Sequence, residues 1–356
     1  MKPAVQATIN LAALKYNLQR VRDCITSHQQ IIAVIKANAY GHGIIEVAKA
    51  LTELDAFAVA RLEEAITLRQ AGFSQRILIL GGIFNTEELL RAIKNQFDLV
   101  VHSEHQLCLL ELINNSQPIN VWLKLDTGMH RLGINPELTQ QFHQRLNRIN
   151  FVNEIIDMTH LADADNKSSD NTEQQLQCFE NHSQSNNVSI ANSAGILHWH
   201  QTKQGWVRPG IMLYGSSPML KTSGPDENLK AVMTLKSRLI AINQYHQGES
   251  IGYGSTWTCP STTKIGVVAI GYGDGYPRNI APDTPVLLHN QRCSIVGRVS
   301  MDTLSININN IENCQIGDEV TLWGEDLPVD EIADSANTIA YELLCNLTNR
   351  VDKAYK

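Results

Sequence analysis

The sequence predicts an α/β fold, a (β/α)8 TIM-type barrel followed by a mostly β C-terminal domain. Three observations carry this. Eight short apolar runs rich in β-formers alternate with helical patterns over about 190 residues; the alternation stops near residue 215; and short strand-like runs separated by turn residues follow it.

The chain opens with an amphipathic helix over 11–25, where Leu11, Leu14, Leu18 and Val21 share one face behind an Asn10 cap. The eight strand runs begin IIAVIKA at 31, FAVA at 57, RILILGG at 76, FDLVVHS at 97, INVWLKLDT at 119, EIIDMTHLA at 154, VSIANSAG at 188 and WVRPGIMLYG at 206. Between them, stretches such as RLEEAITLRQAG and NTEELLRAIKNQ carry acids early and apolar residues at three- and four-residue spacing, the mark of helices. Residues 216–230, SSPMLKTSGPDENLK, lack periodicity and read as a linker. The expected division is therefore a barrel over 1–229 and a β domain over 230–356, with one late helix from Val329 to about Leu347.

Composition narrows the function. The chain has 356 residues, 43% of them hydrophobic, which excludes a disordered chain. With 29 Lys and Arg against 36 Asp and Glu, its net charge of −7 argues against a nucleic-acid or anionic-membrane partner and favours small molecules or a second copy of itself. Seven cysteines without a CxxC pair fit a reducing compartment, so a cytoplasmic location is expected. No stretch reads as a signal peptide or approaches the roughly 18 apolar residues of a membrane span.

In such a barrel the active site forms at the C-terminal ends of the strands. Polar residues ending the eight runs are Lys36, Lys124, Asp126, His160, Asn192, Ser193 and Arg208, with Gly210 close behind. The strongest feature is AVIKANAYGHG, 33–43, in which Lys36 leaves an apolar strand for a loop containing Asn38, Tyr40, His42 and two glycines. Desolvation lowers an amine's pKa, and a neutral amine attacks an aldehyde, whether a carbonyl substrate or pyridoxal phosphate. Alone, a strand-end lysine more often just reaches for water. The loops after strands seven and eight of these barrels frequently hold a phosphate, however, and here they supply the Ser193 hydroxyl and the backbone N–H groups of Gly210 and Ile211.

Seven blocks then stand in one order: AVIKANAYGHG, WLKLDTGMHRLG (122–133), MTHLADADN (158–166), ANSAGIL (191–197), VRPGIMLYG (207–215), GYGSTWT (252–258) and GRVSMDT (297–303). Together they resemble the alanine racemase family along nearly the whole chain. The resemblance implies pyridoxal 5′-phosphate as cofactor, alanine as substrate, and a head-to-tail homodimer in which each barrel mouth is completed by the partner's C-terminal domain.

By this resemblance Lys36 is the Schiff-base lysine and one of two acid/base groups; the other is the partner subunit's Tyr253. A phenol titrates at about 10, so its anion needs support, which the family provides through the histidine matching His160. Arg208 matches the arginine at the pyridine nitrogen. An arginine cannot accept a proton, so that nitrogen stays unprotonated and the carbanion short-lived, which suits racemisation over transamination. The phosphate is assigned to Tyr40, Ser193, the backbone of Gly210 and Ile211, and Tyr341. The substrate carboxylate falls to Arg131 and to the backbone N–H of the partner subunit's Met301. Lys124 stands where several relatives carry a carbamate. Beside Arg131 a bare ammonium would be a like-charge contact, so a modification, a bound anion or a salt bridge to Asp126 is expected. Two departures are His130, where many relatives have glycine, and Ser300, where some have cysteine.

Other readings stay open at this point. The pairs HSEH (102–105) and HWH (198–200) could look like metal ligands but lack a spaced set of partners, so no metal is expected. A non-catalytic pyridoxal-phosphate-binding barrel would have no need of the β domain, Tyr253 or Met301. A racemase of serine or a larger amino acid differs only in pocket size. Supply of D-alanine for peptidoglycan and catabolism of alanine are equally compatible with these residues.

Overall fold

The computed structural model describes residues 4–356. Strand β1 (Gln6–Ile9) precedes the first helix, Leu11–Asp23, whose Asn10 cap accepts the Ala13 N–H at 3.0 Å. Eight parallel strands follow: β2 (Gln30–Val34), β3 (Ala56–Val59), β4 (Arg76–Ile79), β5 (Asp98–Val101), β6 (Ile119–Lys124), β7 (Val152–Met158), β8 (Val188–Ser189) and β9 (Trp206–Val207). Each of the eight apolar runs contributes one of them. They pair in the order β8-β7-β6-β5-β4-β3-β2-β9. The seam between β8 and β9 is closed by Ser189 Oγ donating to the Trp206 carbonyl at 2.6 Å and by the Arg208 N–H donating to the Ala191 carbonyl at 2.9 Å. The strands are buried almost throughout because helices cover their outer faces.

The second domain comprises β10 (Met233–Tyr245), the short hairpin β11 (Ser250–Ile251) and β12 (Trp257–Thr258), then β13 (Thr263–Val268), β14 (Pro285–Leu288), β15 (Gln291–Val296), β16 (Leu304–Asn307), β17 (Glu319–Trp323) and β18 (Asp352–Tyr355). Its main sheet runs β13-β16-β15-β14-β17-β10-β1-β18, and an additional β13–β10 pairing closes six of these strands into a ring.

Three expectations change. The N-terminal strand β1 pairs antiparallel with β10 and parallel with β18, so residues 6–9 lie in the second domain's sheet although they precede the barrel. The stretch 216–230 is not a loose tether. Asp330 accepts the Ser216 hydroxyl at 2.5 Å and the Ser217 and Gly224 N–H groups at 3.2 Å, while Asn17 clamps Lys230 from the barrel side at 2.8 Å in both directions. The late helix is two, Val329–Ser335 and Ala340–Cys345, broken where Asn337 adopts φ +52°. No helix among the described residues is long and apolar enough to cross a membrane.

Candidate active site

The C-terminal ends of the barrel strands enclose a cavity of about 830 Å³, within the range of small-molecule and cofactor sites. Lys36, Tyr40, Lys124, Arg131, His160, Ser193, Arg208, Gly210, Ile211 and Tyr341 all line it. Arg61 lines it too, giving five Lys and Arg side chains and no carboxylate. Such a wall suits an anion.

The Lys36 loop has an unusual backbone. Residues 37–40 all have positive φ, from +50° to +55°, so a non-glycine left-handed turn follows the lysine directly. This region disfavours L-residues by roughly 1–2 kcal/mol each, so the surroundings must hold it. Gly41 and Gly43 show how. A Cβ at 41 would strike the Leu344 carbonyl, and one at 43 the Tyr355 hydroxyl, so the two glycines let the loop sit directly on the second domain. Buried His42 donates from Nδ1 to the carbonyls of Ala39 (3.1 Å) and Tyr40 (2.8 Å), and burial lowers its pKa to about 4, keeping the ring neutral. Burial, then the Arg131 charge, also lowers the Lys36 amine pKa.

At the far end of the turn, Tyr40 stacks on Tyr214 with centroids 4.7 Å apart, and the Tyr214 hydroxyl donates to the Val34 carbonyl at 3.0 Å. A Cβ on residue 210 would come within 2.7 Å of the Tyr40 hydroxyl, so only glycine leaves the space between them open. Ser193 Oγ accepts the Gly210 N–H at 2.9 Å. That N–H, expected to face a phosphate, is thus already bonded, and the Ser193 hydroxyl hydrogen is left to point outward. Burial raises the pKa of both Tyr40 and Tyr341, so both phenols are protonated donors.

Arg208 is buried among neutral acceptors: Ser189 Oγ at 2.5 Å, the Thr159 carbonyl at 2.6 Å and the Ile190 carbonyl at 3.2 Å. Burial lowers its pKa to about 10, still cationic at neutral pH. Its Nη2 lies 3.5 Å from His160 Nδ1. A guanidinium has only donors, so Nδ1 accepts and the His160 hydrogen sits on Nε2. Burial, then Arg208, Lys124, Arg131 and Lys36, push the His160 pKa well down, so this ring is neutral.

The three expectations for Lys124 can be separated in part. Asp126 does not pair with it: one Asp126 oxygen accepts the N–H groups of Gly128 (3.2 Å) and His130 (2.8 Å), and the other faces the His130 ring at 3.4 Å. Asp126 therefore shapes the loop that carries Arg131. His130, at φ +54°, shows why glycine suits this position. Among the described residues Lys124 has no carboxylate within 4 Å, and burial with Arg208 and Arg131 lowers its pKa to about 8.

Tyr253 and Met301 do not line the cavity of their own chain. They lie on the second domain, 65% and 53% exposed, where a partner could meet them. The Met301 loop is braced by Arg350, which bonds Asp302 at 2.8 Å and Asp274 at 3.1 Å. The histidines of HSEH bond backbone carbonyls, His102 to Gly81 at 3.1 Å and His105 to Phe84 at 2.9 Å, and His198 of HWH pairs with Glu227 at 2.8 Å. Phe84 and Cys345 also line the cavity, and sequence reasoning missed them along with Arg61. Arg61 and Phe84 follow strands β3 and β4, so the strand-end rule could have found them; nothing local marks Cys345.

Known proteins share this chain's two-part fold and much of its sequence. The family model described as "Alanine racemase, N-terminal domain" matches residues 9–218, and "Alanine racemase, C-terminal domain" matches 232–355. The chain is 46% identical over 355 residues to the alanine racemase of Yersinia pestis, covering 99% of each, and 45% identical over 356 residues to the biosynthetic alanine racemase of Salmonella typhimurium, again covering 99% of each. The crystal structure of biosynthetic alanine racemase from Pseudomonas aeruginosa superposes with a TM-score of 0.96 at 41% identity, covering 100% of both chains. With both halves matched and a mouth built for an anion beside a desolvated lysine, the chain belongs to the alanine racemase family.

Proposed function

We propose that this chain interconverts L-alanine and D-alanine with pyridoxal 5′-phosphate, working as a homodimer with shared active sites. The observation that carries the reading is one cavity holding a desolvated lysine, Lys36, between cationic walls and a cup of protonated donors. The residues fit the cofactor. Tyr40, Tyr341 and the Ser193 hydroxyl would hold its phosphate in the space that Gly210 leaves open, with the Ile211 backbone beside them; Lys36 would bind its aldehyde carbon. When bound, pyridoxal phosphate supplies an electron sink that acidifies the alanine Cα–H.

The protein does the rest. Lys36, with its lowered pKa, takes and returns a proton at Nζ on one face of Cα. The partner subunit's Tyr253 serves the other face, and the Nε2–H of neutral His160 supports its phenolate oxygen. Arg208 would offer the cofactor's ring nitrogen a donor and never a base, so the electron sink supplied there would be a moderate one, which favours racemisation over transamination. Arg131 receives the substrate carboxylate, assisted by the backbone N–H of the partner subunit's Met301. Lys124, whose pKa is lowered to about 8 so that a larger minority of the amine is neutral near physiological pH than for an ordinary lysine, is suited to carbamylation by CO2, which would turn a like charge beside Arg131 into an opposite one.

The expected division at 229/230 is crossed twice, by residues 6–9, which join the second domain's sheet, and by Tyr341, which lines the mouth of its own barrel; the rest of the β domain would reach the partner's mouth. The word biosynthetic in the names of the Salmonella and Pseudomonas relatives supports D-alanine for peptidoglycan as the physiological output.

The test is D/L interconversion by the purified, cofactor-loaded protein across alanine, serine, arginine and lysine. Alanine turning over fastest supports the reading, and a rate for any other amino acid above that for alanine overturns the substrate. Borohydride treatment of the loaded protein and peptide mapping should find the pyridoxyl label on Lys36; a label elsewhere overturns the lysine assignment.

A further inference from the structure

The left-handed turn 37–40 lies between the residue proposed for the cofactor's aldehyde, Lys36, and one proposed for its phosphate, Tyr40. His42 secures its C-terminal end from inside the protein. Its N-terminal end is held from another βα loop by Glu64, in the helix Leu62–Gln70. Glu64 Oε1 accepts the Ala37 N–H at 2.7 Å, while Oε2 accepts the N–H groups of Ala60 at 2.8 Å and Arg61 at 3.1 Å. One oxygen thus serves an ordinary purpose, capping its own helix at Arg61. The other does not, because a capping box has no need of a residue 27 positions upstream.

We propose that Glu64 is a positioning residue for the lysine: it fastens the strained turn after Lys36 to the β3 loop and so fixes the spacing of Lys36 and Tyr40. Without that bond the Ala37 amide has only solvent, and the chain relaxes toward the right-handed region that Ala37, Asn38 and Ala39 intrinsically prefer. The same carboxylate supplies a negative charge near a cavity that contains none, which opposes the fall in the Lys36 pKa. The inference rests on the proposed roles of Lys36 and Tyr40 toward the cofactor.

Glu64→Gln separates the two functions. Glutamine still accepts at the helix cap, where Glu and Gln are interchangeable. Its amide NH2, however, faces the Ala37 N–H, donor against donor. The expected result is an unfolding midpoint within a few degrees of the parent, with cofactor affinity weakened about tenfold or more, alanine turnover reduced to a similar degree, and the pH midpoint for pyridoxal phosphate binding to the apoprotein moved downward. Affinity, turnover and pH midpoint all within twofold or 0.2 units of the parent would overturn the proposal. Should Glu64→Gln not fold, amide hydrogen exchange in the parent holoprotein decides: protection of the Ala37 amide supports the contact, and free exchange overturns it. A parent protein that neither binds pyridoxal phosphate nor racemises alanine would refute the functional reading instead, a result distinct from a variant that matches an active parent.

Discussion

The two ends of the barrel are built from the same residue types and arranged in opposite ways. At the N-terminal end Arg76 bonds Asp98 at 2.6 Å and Glu154 at 3.1 Å, and its guanidinium lies 5.0 Å from the Trp206 ring centroid and 6.0 Å from that of Trp122. Buried Asp98 also accepts from the Trp122 indole and the Asn120 amide, each at 2.9 Å. Charge there is matched within the chain. At the C-terminal end Lys36, Arg61, Lys124, Arg131 and Arg208 face one cavity without a carboxylate among its lining residues. A matched cluster closes the barrel, whereas an unmatched one is completed by what it binds.

Substitutions at the two ends should therefore separate activity from stability. Lys36→Ala removes the amine proposed to bind the aldehyde carbon and to carry one proton. Turnover should fall by at least about 10³, with an unfolding midpoint no lower than the parent's apoprotein, because a cation leaves a crowded wall. A large loss of stability would mean that Lys36 is structural.

Arg131→Lys keeps the charge but loses the two-pronged geometry, so the KM for alanine should rise about 10- to 100-fold with a smaller effect on kcat. Equal loss in both would place Arg131 in the chemistry instead.

At the other end, Arg76→Met leaves Asp98 buried without its cation. Urea unfolding should show a loss of about 3 kcal/mol, while kcat of the folded enzyme stays within twofold. A fall in kcat without a fall in stability would break the contrast.

Acid should act through His42. Its ring resists protonation until about pH 4 in the folded chain, against 6.5 when unfolded. The folded state then binds fewer protons than the unfolded one across that window. Stability from this group is complete above 6.5 and is lost as pH falls toward 4, by up to about 3 kcal/mol. The pH dependence of unfolding in His42→Gln should be shallower by about one proton; an unchanged slope contradicts this. The smallest effect concerns Lys124: carbon-13 NMR with labelled CO2 should reveal a carbamate signal that grows as pH rises through 8 and is missing in Lys124→Arg.

Much of this was legible in the sequence because it is periodic or tied to strand ends. Eight apolar runs become β2–β9, and the polar residues that finish them meet at one mouth. What was not legible is non-local. Strand β1 has only four residues, and its partners, β10 and β18, lie more than 200 positions away. Glu64 looks like any early-turn acid of a helix, since its link to Ala37 leaves no local pattern. The motif AYGHG announced a special loop, but only packing against Leu344 and Tyr355 explains its glycines. Likewise Asp126, two residues from Lys124, was a natural salt-bridge partner by spacing, yet one of its oxygens is taken by the backbone of the Arg131 loop and the other faces the His130 ring.

The central claim is that each mouth combines Lys36 of one chain with Tyr253 of the other. Lys36→Ala and Tyr253→Phe, each inactive alone, are to be mixed and their subunits exchanged, with exchange confirmed by mass. In a heterodimer one mouth carries both lesions and the other carries neither. At equal mixing half of the dimers are hybrids with one intact mouth, so racemisation should return to about one quarter of the parent rate. No recovery despite confirmed exchange would contradict a site shared across the dimer.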